Sequence, residues 1–165
     1  VLERRPSEIG FLLTLLLIPF AVLCYPFGKL GRRYSKSVMV AAGSILYGAC
    51  LAALAFVPPG WLPAGMIFLG VVSAVNFAPS LAMVADLAGP EIRSTAMGAF
   101  NSAGSLGFLL GPLIGGAVVQ TALSAGETPQ TAYTAAFAAG GGLSIFVALV
   151  AIPSLVRLVR AGRTN

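Results

Sequence analysis

Five uninterrupted apolar segments dominate the sequence, and each is about as long as a helix that crosses a lipid bilayer. They cover residues 9–27, 38–57, 64–85, 97–120 and 132–155. A bilayer core about 30 Å thick needs about 20 apolar residues in helical conformation. Transmembrane β-strands would alternate polar and apolar residues, whereas these segments are apolar on all sides. The sequence therefore predicts an all-α membrane protein, a single domain formed by a bundle of five transmembrane helices in contact with the lipid bilayer.

The composition excludes an ordinary soluble domain. Hydrophobic residues make up 58% of the chain and charged residues 9%, whereas soluble domains carry about 25% charged residues. The net charge of +5 does not indicate nucleic-acid binding, because the basic residues lie in short connections and not on one polar face. The two cysteines have no metal-ligand spacing and His is absent, so we predict no metal, no cofactor, no catalytic residue and no enzyme activity.

The basic residues predict the orientation of the helices. Lys and Arg concentrate in the first and third connections and in the C-terminal tail, while the second and fourth connections carry none. Because cytoplasmic connections are enriched in Lys and Arg, we predict a multi-pass protein of the cell (plasma or inner) membrane. Its N-terminus lies outside and its C-terminus lies in the cytoplasm. The chain starts with Val just before a membrane segment, so we expect it to be a fragment of a longer protein.

A regularly spaced set of glycines marks the fourth segment. Gly104, Gly107, Gly111 and Gly115 are separated by 3, 4 and 4 residues, which places them on one side of a helix. Without Cβ atoms they allow another helix to approach closely, and Pro112 removes a backbone hydrogen bond there. Two interpretations stay open: tight packing, or a surface on which helices flex in a moving protein.

Polar residues lie inside the third and fourth segments. One group contains Ser73, Asn76 and Ser80, and the other contains Asn101 and Ser105. Polar side chains within a membrane face protein or a water-filled cavity. We therefore predict that these residues contribute to the wall of a cavity for a small-molecule substrate. The alternative is ordinary hydrogen bonding between helices.

Charged residues at the predicted cytoplasmic ends indicate a gate. Asp86 and Arg93 follow the third segment and precede the fourth, and Arg32 and Arg33 lie in the first connection at the same membrane level. An acid that faces fixed arginines would form an ionic latch, which breaks when the protein opens. The alternative is a set of solvated charges that contribute little energy.

Together these features resemble the major facilitator superfamily of secondary transporters. Residues 28–36 are similar to the family's basic loop, G-x-L-x-D-R-x-G-R, with Arg32 in place of Asp and Ser35 in place of Gly. The spacing of Asp86 and Arg93 is similar to the acid and arginine at the inner helix ends of sugar-porter-like members. The glycine-proline signature of proton-coupled antiporters resembles a motif in the fourth segment, made of Gly98, Gly107, Gly111, Pro112, Gly115 and Gly116.

The resemblance implies about one half of a secondary transporter that works by alternating access. The degenerate basic loop favours the C-terminal half, helices eight to twelve, and the complete glycine signature favours the N-terminal half; we prefer the C-terminal half. Substrate would lie near the membrane midplane, against the missing half of the transporter.

The glycine signature implies efflux of organic compounds, with proton coupling as a further implication. No ionisable residue lies in the middle of any segment, so this chain alone does not predict the coupling. A non-transporting membrane bundle that serves as an assembly or scaffold subunit is the alternative function.

Overall fold

The structure is a computed structural model, and it describes residues 6–31 and 34–161. The helices are α1 (Pro6–Leu30), α2 (Lys36–Leu54), α3 (Leu62–Leu87), α4 (Arg93–Ser124) and α5 (Pro129–Ala161), with a short 3-10 helix (Pro59–Trp61) before α3. All five α-helices are long and apolar enough to cross a membrane, and these described ranges contain no strand. The predicted all-α bundle of five transmembrane helices is confirmed.

Most helices extend beyond the apolar segments from which they were predicted. The fourth segment covers 97–120, whereas α4 spans Arg93–Ser124, because a helix continues to satisfy its backbone hydrogen bonds after its side chains become polar. The exception is the end of α2 at Leu54, three residues before the predicted end. Pro58 and Pro59 follow this turn, and a proline disfavours helical conformation in the residue before it.

The centre of the bundle is α3. It packs against α1 and α2 and more briefly against α4, while α5 packs against α2 and α4. The buried positions reflect this arrangement. Six residues of α3 are buried, namely Leu69, Gly70, Val72, Ala74, Ala78 and Pro79, whereas no residue of α4 is buried. The helix α4 therefore exposes most of its surface in the described part of the chain.

Glycines outside the α4 set make the closest helix crossings. A Cβ atom on Gly43 of α2 would lie 3.0 Å from the Cα atom of Asn76 in α3, and one on Gly48 would lie 2.8 Å from the carbonyl oxygen of Gly141 in α5. A Cβ atom on Gly70 of α3 would collide with the backbone of α1. Small residues allow membrane helices to approach in this way, so glycine sets the spacing at all three crossings.

Candidate substrate cavity and cytoplasmic gate

The polar residues of α3 are hydrogen-bonded within the bundle. The Ser73 hydroxyl donates to the Leu69 carbonyl (2.7 Å), and the Ser80 hydroxyl donates to the Asn76 carbonyl (2.8 Å). The side-chain oxygen of Asn76 accepts a hydrogen bond from the Ser44 hydroxyl of α2 at 3.1 Å. Asn76 therefore faces α2, in the interhelical hydrogen bonding that was the alternative to a cavity wall. Ser73 and Ser80 stay half-buried on the same helix.

The polar residues of α4 lie on an open surface. Asn101 and Ser105 are both exposed, and the Ser105 hydroxyl donates to the Asn101 carbonyl at 3.0 Å. Within residues 6–31 and 34–161, no hydrogen bond joins either side chain to another helix. The structure therefore does not bring these two residues together with the polar group of α3.

An aromatic cluster, which the sequence analysis did not single out, joins three helices. The ring centroids of Phe20 in α1 and Phe77 in α3 are 5.5 Å apart with an interplanar angle of 65°. The centroids of Phe77 and Phe100 in α4 are 5.7 Å apart with an angle of 49°. Such contacts contribute about 0.5–1.5 kcal/mol beyond their buried area. Because the three rings belong to different helices, no spacing within one segment links them.

Phe77 shares one side of α3 with the two serines. Ser73 precedes it by four residues and Ser80 follows it by three, and residues at these spacings are neighbours on a helix surface. The Phe77 side chain is 37% exposed in spite of its two ring contacts. The side of α3 between α1 and α4 thus combines an aromatic ring with two hydroxyl groups.

The second half of the glycine-proline motif, from Gly111 to Gly116, faces an open groove. A Cβ atom added to any of its glycines would have no atom of another described helix within 4 Å: Gly98, Gly107, Gly111, Gly115 and Gly116. Gly111, Pro112 and Gly115 line one wall of a groove of about 590 Å³, and Tyr133 and Phe137 of α5 line the other. Close packing of this motif is therefore not provided by any helix in the described ranges.

An ion pair joins α2 and α3 at the predicted cytoplasmic end. Lys36, the first residue of α2, pairs with Asp86 near the end of α3. This contact places the first and third connections on the same side of the bundle, as the charge-based orientation requires. The Lys36 and Asp86 side chains are 23% and 55% exposed, so a typical contribution of such a pair to stability is about 0–1 kcal/mol.

Asp86 has Lys36 as a partner, and its pairing with the two loop arginines stays a prediction. Arg32 and Arg33 lie outside the described residues. The Arg93 guanidinium donates to the carbonyl of Ala85 at 3.0 Å, so it satisfies a free carbonyl at the end of α3. The sequence contained a signal for Lys36, because this residue occupies the last basic position of the loop motif.

Comparison with known proteins decides the family. The sequence matches the profile of the Major Facilitator Superfamily over residues 3–164. The chain belongs to the Major Facilitator Superfamily. The resemblance drawn from the motifs is confirmed, and the match places the chain among multi-pass membrane transporters and not among enzymes.

Three curated relatives of this Major Facilitator chain are similar over much of its length. A sphingosine-1-phosphate transporter of Xenopus tropicalis is 29% identical over 125 residues, 73% of this chain and 24% of that protein. An uncharacterized MFS-type transporter of Methanocaldococcus jannaschii is 33% identical over 111 residues, 66% of this chain and 28% of that protein. The methyl viologen resistance protein of Salmonella typhimurium is 28% identical over 116 residues, 69% of this chain and 23% of that protein.

These matches span about a quarter of the length of each relative. No solved structure matches the chain with significance.

The aromatic cluster and the ion pair of this Major Facilitator chain lie at different depths. Phe77 precedes the end of α3 at Leu87 by ten residues, or about 15 Å of helix. Phe100 follows the start of α4 at Arg93 by seven residues, or about 10 Å. Counted from the helix ends near the ion pair, Phe77 and Phe100 therefore lie about 10–15 Å farther along the bundle.

Proposed function

We propose that the full-length protein is a secondary active transporter that moves a small organic solute across the cell membrane by alternating access. The observation that carries this proposal is the aromatic and hydroxyl-bearing side of α3, where α1 and α4 also contribute rings. We propose that this side lies near the bilayer midplane. Substrate sites of such transporters lie near the midplane at the interface between structural repeats. This chain would form one wall of the site, and the missing half of the transporter would form the other.

The names of two relatives support an organic compound as the transported solute. One is named for sphingosine-1-phosphate transport and another for methyl viologen resistance, and both names refer to organic compounds. Resistance to a toxic compound is consistent with its export. We therefore propose efflux of a small organic compound from the cytoplasm.

The polar residues would divide their roles in this transporter. Ser73 and Ser80 would contribute hydroxyl groups beside Phe77, and Asn101 and Ser105 would face the substrate path from the exposed side of α4. Asn76 would hold α3 to α2 through its hydrogen bond with Ser44. This last role replaces the cavity wall as the better-supported assignment for Asn76.

The ion pair at the end of α2 would support the cytoplasmic gate. Lys36 and Asp86 fix the first connection against the end of α3, and this connection contains Arg32 and Arg33. Fixing it there would present the arginines to the missing half when the cytoplasmic side is closed. Arg93 would contribute by holding the α3–α4 turn through the Ala85 carbonyl.

The distribution of charged residues supports a membrane orientation for the chain and bears on where proton coupling could occur. We propose that the N-terminus lies outside and the C-terminus in the cytoplasm, because Lys36, Asp86 and Arg93 share the side that is rich in basic residues. The described helices carry Asp, Glu, Lys and Arg only near their ends. A titrating residue for proton coupling would therefore belong to the missing half.

A flux measurement with the full-length protein tests the proposed function. Liposomes that contain the purified protein and an internal pool of unlabelled solute would take up labelled solute by exchange, faster than liposomes without protein. A suitable panel contains methyl viologen, sphingosine-1-phosphate and an aliphatic dication such as hexamethonium. Exchange of none of these compounds above the protein-free rate would contradict transport of organic solutes.

A further inference from the structure

We infer that the ring cluster of Phe20, Phe77 and Phe100 is a subsite for the flat, positively charged aromatic part of an organic substrate. This inference rests on the proposed transport function. It adds a ligand class and three residues that the family assignment does not supply, since the motifs of the family lie elsewhere in the chain.

The arrangement of the rings leaves aromatic surface available. In an edge-to-face pair, the edge of one ring covers a face of the other, so the pair does not cover every face. The two interplanar angles of 65° and 49° are of this tilted kind, and Phe77, which belongs to both pairs, remains 37% exposed. The face of an aromatic ring carries partial negative charge, and it attracts a cation within about 6 Å.

The hydroxyl groups beside Phe77 add acceptors to this surface. Ser73 and Ser80 each donate their hydroxyl hydrogen to a carbonyl of their own helix. A hydroxyl oxygen keeps two lone pairs when its hydrogen is used, so these serines offer acceptors to a ligand. Ring faces and lone pairs are both electronegative, and together they favour a cation over an anion.

The positions of the acidic residues indicate which class of cationic ligand fits this surface. In residues 6–31 and 34–161, Asp and Glu occur only at or beyond the ends of the helices, at Glu8, Asp86, Glu91 and Glu127. A compact ammonium buried without a carboxylate would suffer a large loss of hydration energy. A pyridinium or similar ring spreads its charge over a flat apolar body. It therefore loses less hydration energy on burial, and it can stack against a Phe ring.

The experiment compares two dications of different shape on the purified full-length protein. Methyl viologen is a flat aromatic dication, and protonated hexamethylenediamine is an aliphatic one with two compact, strongly hydrated primary ammonium groups. Equilibrium dialysis gives the dissociation constant of each, separately from any flux. We expect Phe77→Leu to weaken methyl viologen binding by about 2-fold to 30-fold, the range expected for one cation–π contact. The binding of hexamethylenediamine should change by less than about 2-fold, and Phe77→Trp, which keeps an aromatic face, should retain the binding of methyl viologen.

Two further variants distinguish loss of the ring cluster from a general effect of replacing Phe by Leu. Phe100→Leu removes another ring of the cluster and should act in the same direction, which keeps the test valid if Phe77→Leu does not fold. Phe108→Leu is the matched control, because Phe108 also belongs to α4 but is 84% exposed and lies outside both ring pairs. It should leave the dissociation constants of both dications unchanged.

The outcomes distinguish the subsite from the transport function. Equal weakening for both dications, or loss of methyl viologen binding with Phe77→Trp, would show that the rings only pack the helices and would overturn the subsite. Absence of methyl viologen binding to the unmodified protein would also overturn it, while exchange of any other organic solute would leave the proposed function intact. Binding of methyl viologen without exchange of any solute would support the subsite and remove the transport function.

Discussion

Hydrogen bonding separates two asparagines that look alike in the sequence. Asn76 accepts a hydrogen bond from Ser44 and lies at the closest approach of α2 and α3. Asn101 is exposed on α4, and its side chain makes no hydrogen bond to another helix among the described residues. The first asparagine therefore belongs to the packing of the bundle, and the second belongs to its open surface.

Replacing the two asparagines by leucine should have different effects. We expect Asn76→Leu to lower the stability of the full-length protein by about 1–2 kcal/mol, because it removes an interhelical hydrogen bond and places a branched side chain beside Gly43. Asn101→Leu should leave stability nearly unchanged and should reduce solute exchange. Thermal unfolding in detergent and exchange in liposomes measure the two effects. Unchanged exchange with Asn101→Leu would remove Asn101 from the substrate path.

At the scale of the helix, glycines at the points where helices cross allow those helices to pack closely. The contact between α2 and α5 forms where Gly48 faces Gly141, and each position would bring an added Cβ atom close to the other helix. This crossing, and not the glycine-proline motif, holds two helices in close contact in the described part of the chain.

We expect Gly48→Ala to destabilise the full-length protein by about 1–3 kcal/mol, because an added Cβ atom would lie 2.7 Å from Ile145 and 2.8 Å from the Gly141 carbonyl. Gly10→Ala is the matched control, since a Cβ atom there has no atom of another described helix within 4 Å. The midpoint of thermal unfolding in detergent measures both variants. Equal midpoints for the two variants would contradict this crossing.

The ion pair between α2 and α3 predicts an effect on the cytoplasmic gate. Asp86→Asn should increase cytoplasmic access to a cysteine at position 101 by about 2-fold to 5-fold, the change expected from about 0.5–1 kcal/mol. Labelling with a membrane-impermeant maleimide from the cytoplasmic side measures this access. Exchanging the charges, Lys36→Asp with Asp86→Lys, should restore the original rate. Glu91→Gln in the α3–α4 connection is the control, and no difference from it would remove Asp86 from the gate.

Hydrophobicity along the chain was sufficient to predict the five helices, and short motifs were sufficient to predict the family, because both are local properties of the sequence. The partners across helices were not predictable in the same way. Asp86 pairs with Lys36, a residue that the sequence analysis did not assign to the gate. Which residue of a basic loop reaches an acid depends on where the next helix begins. The contacts of Phe77 likewise depend on how α1, α3 and α4 are arranged, which no single segment encodes.

At the scale of the whole molecule, the exposed surface of α4 is the main structural argument for a larger assembly. Every described side chain of α4 is exposed or half-buried, and its glycine-proline motif lines an open groove. Curated relatives are about four times longer than the matched region. We therefore propose that the missing half covers part of α4 and completes the substrate path.

The central claim is that the surface around Asn101 opens to each side of the membrane in turn. The most direct measurement uses Asn101→Cys in a full-length protein from which all other cysteines, including Cys24 and Cys50, have been removed. We expect an impermeant maleimide to label this cysteine from either side of the membrane, with added substrate slowing the reaction or changing the ratio of the two rates. Labelling from one side only, at a rate that substrate does not alter, would contradict alternating access.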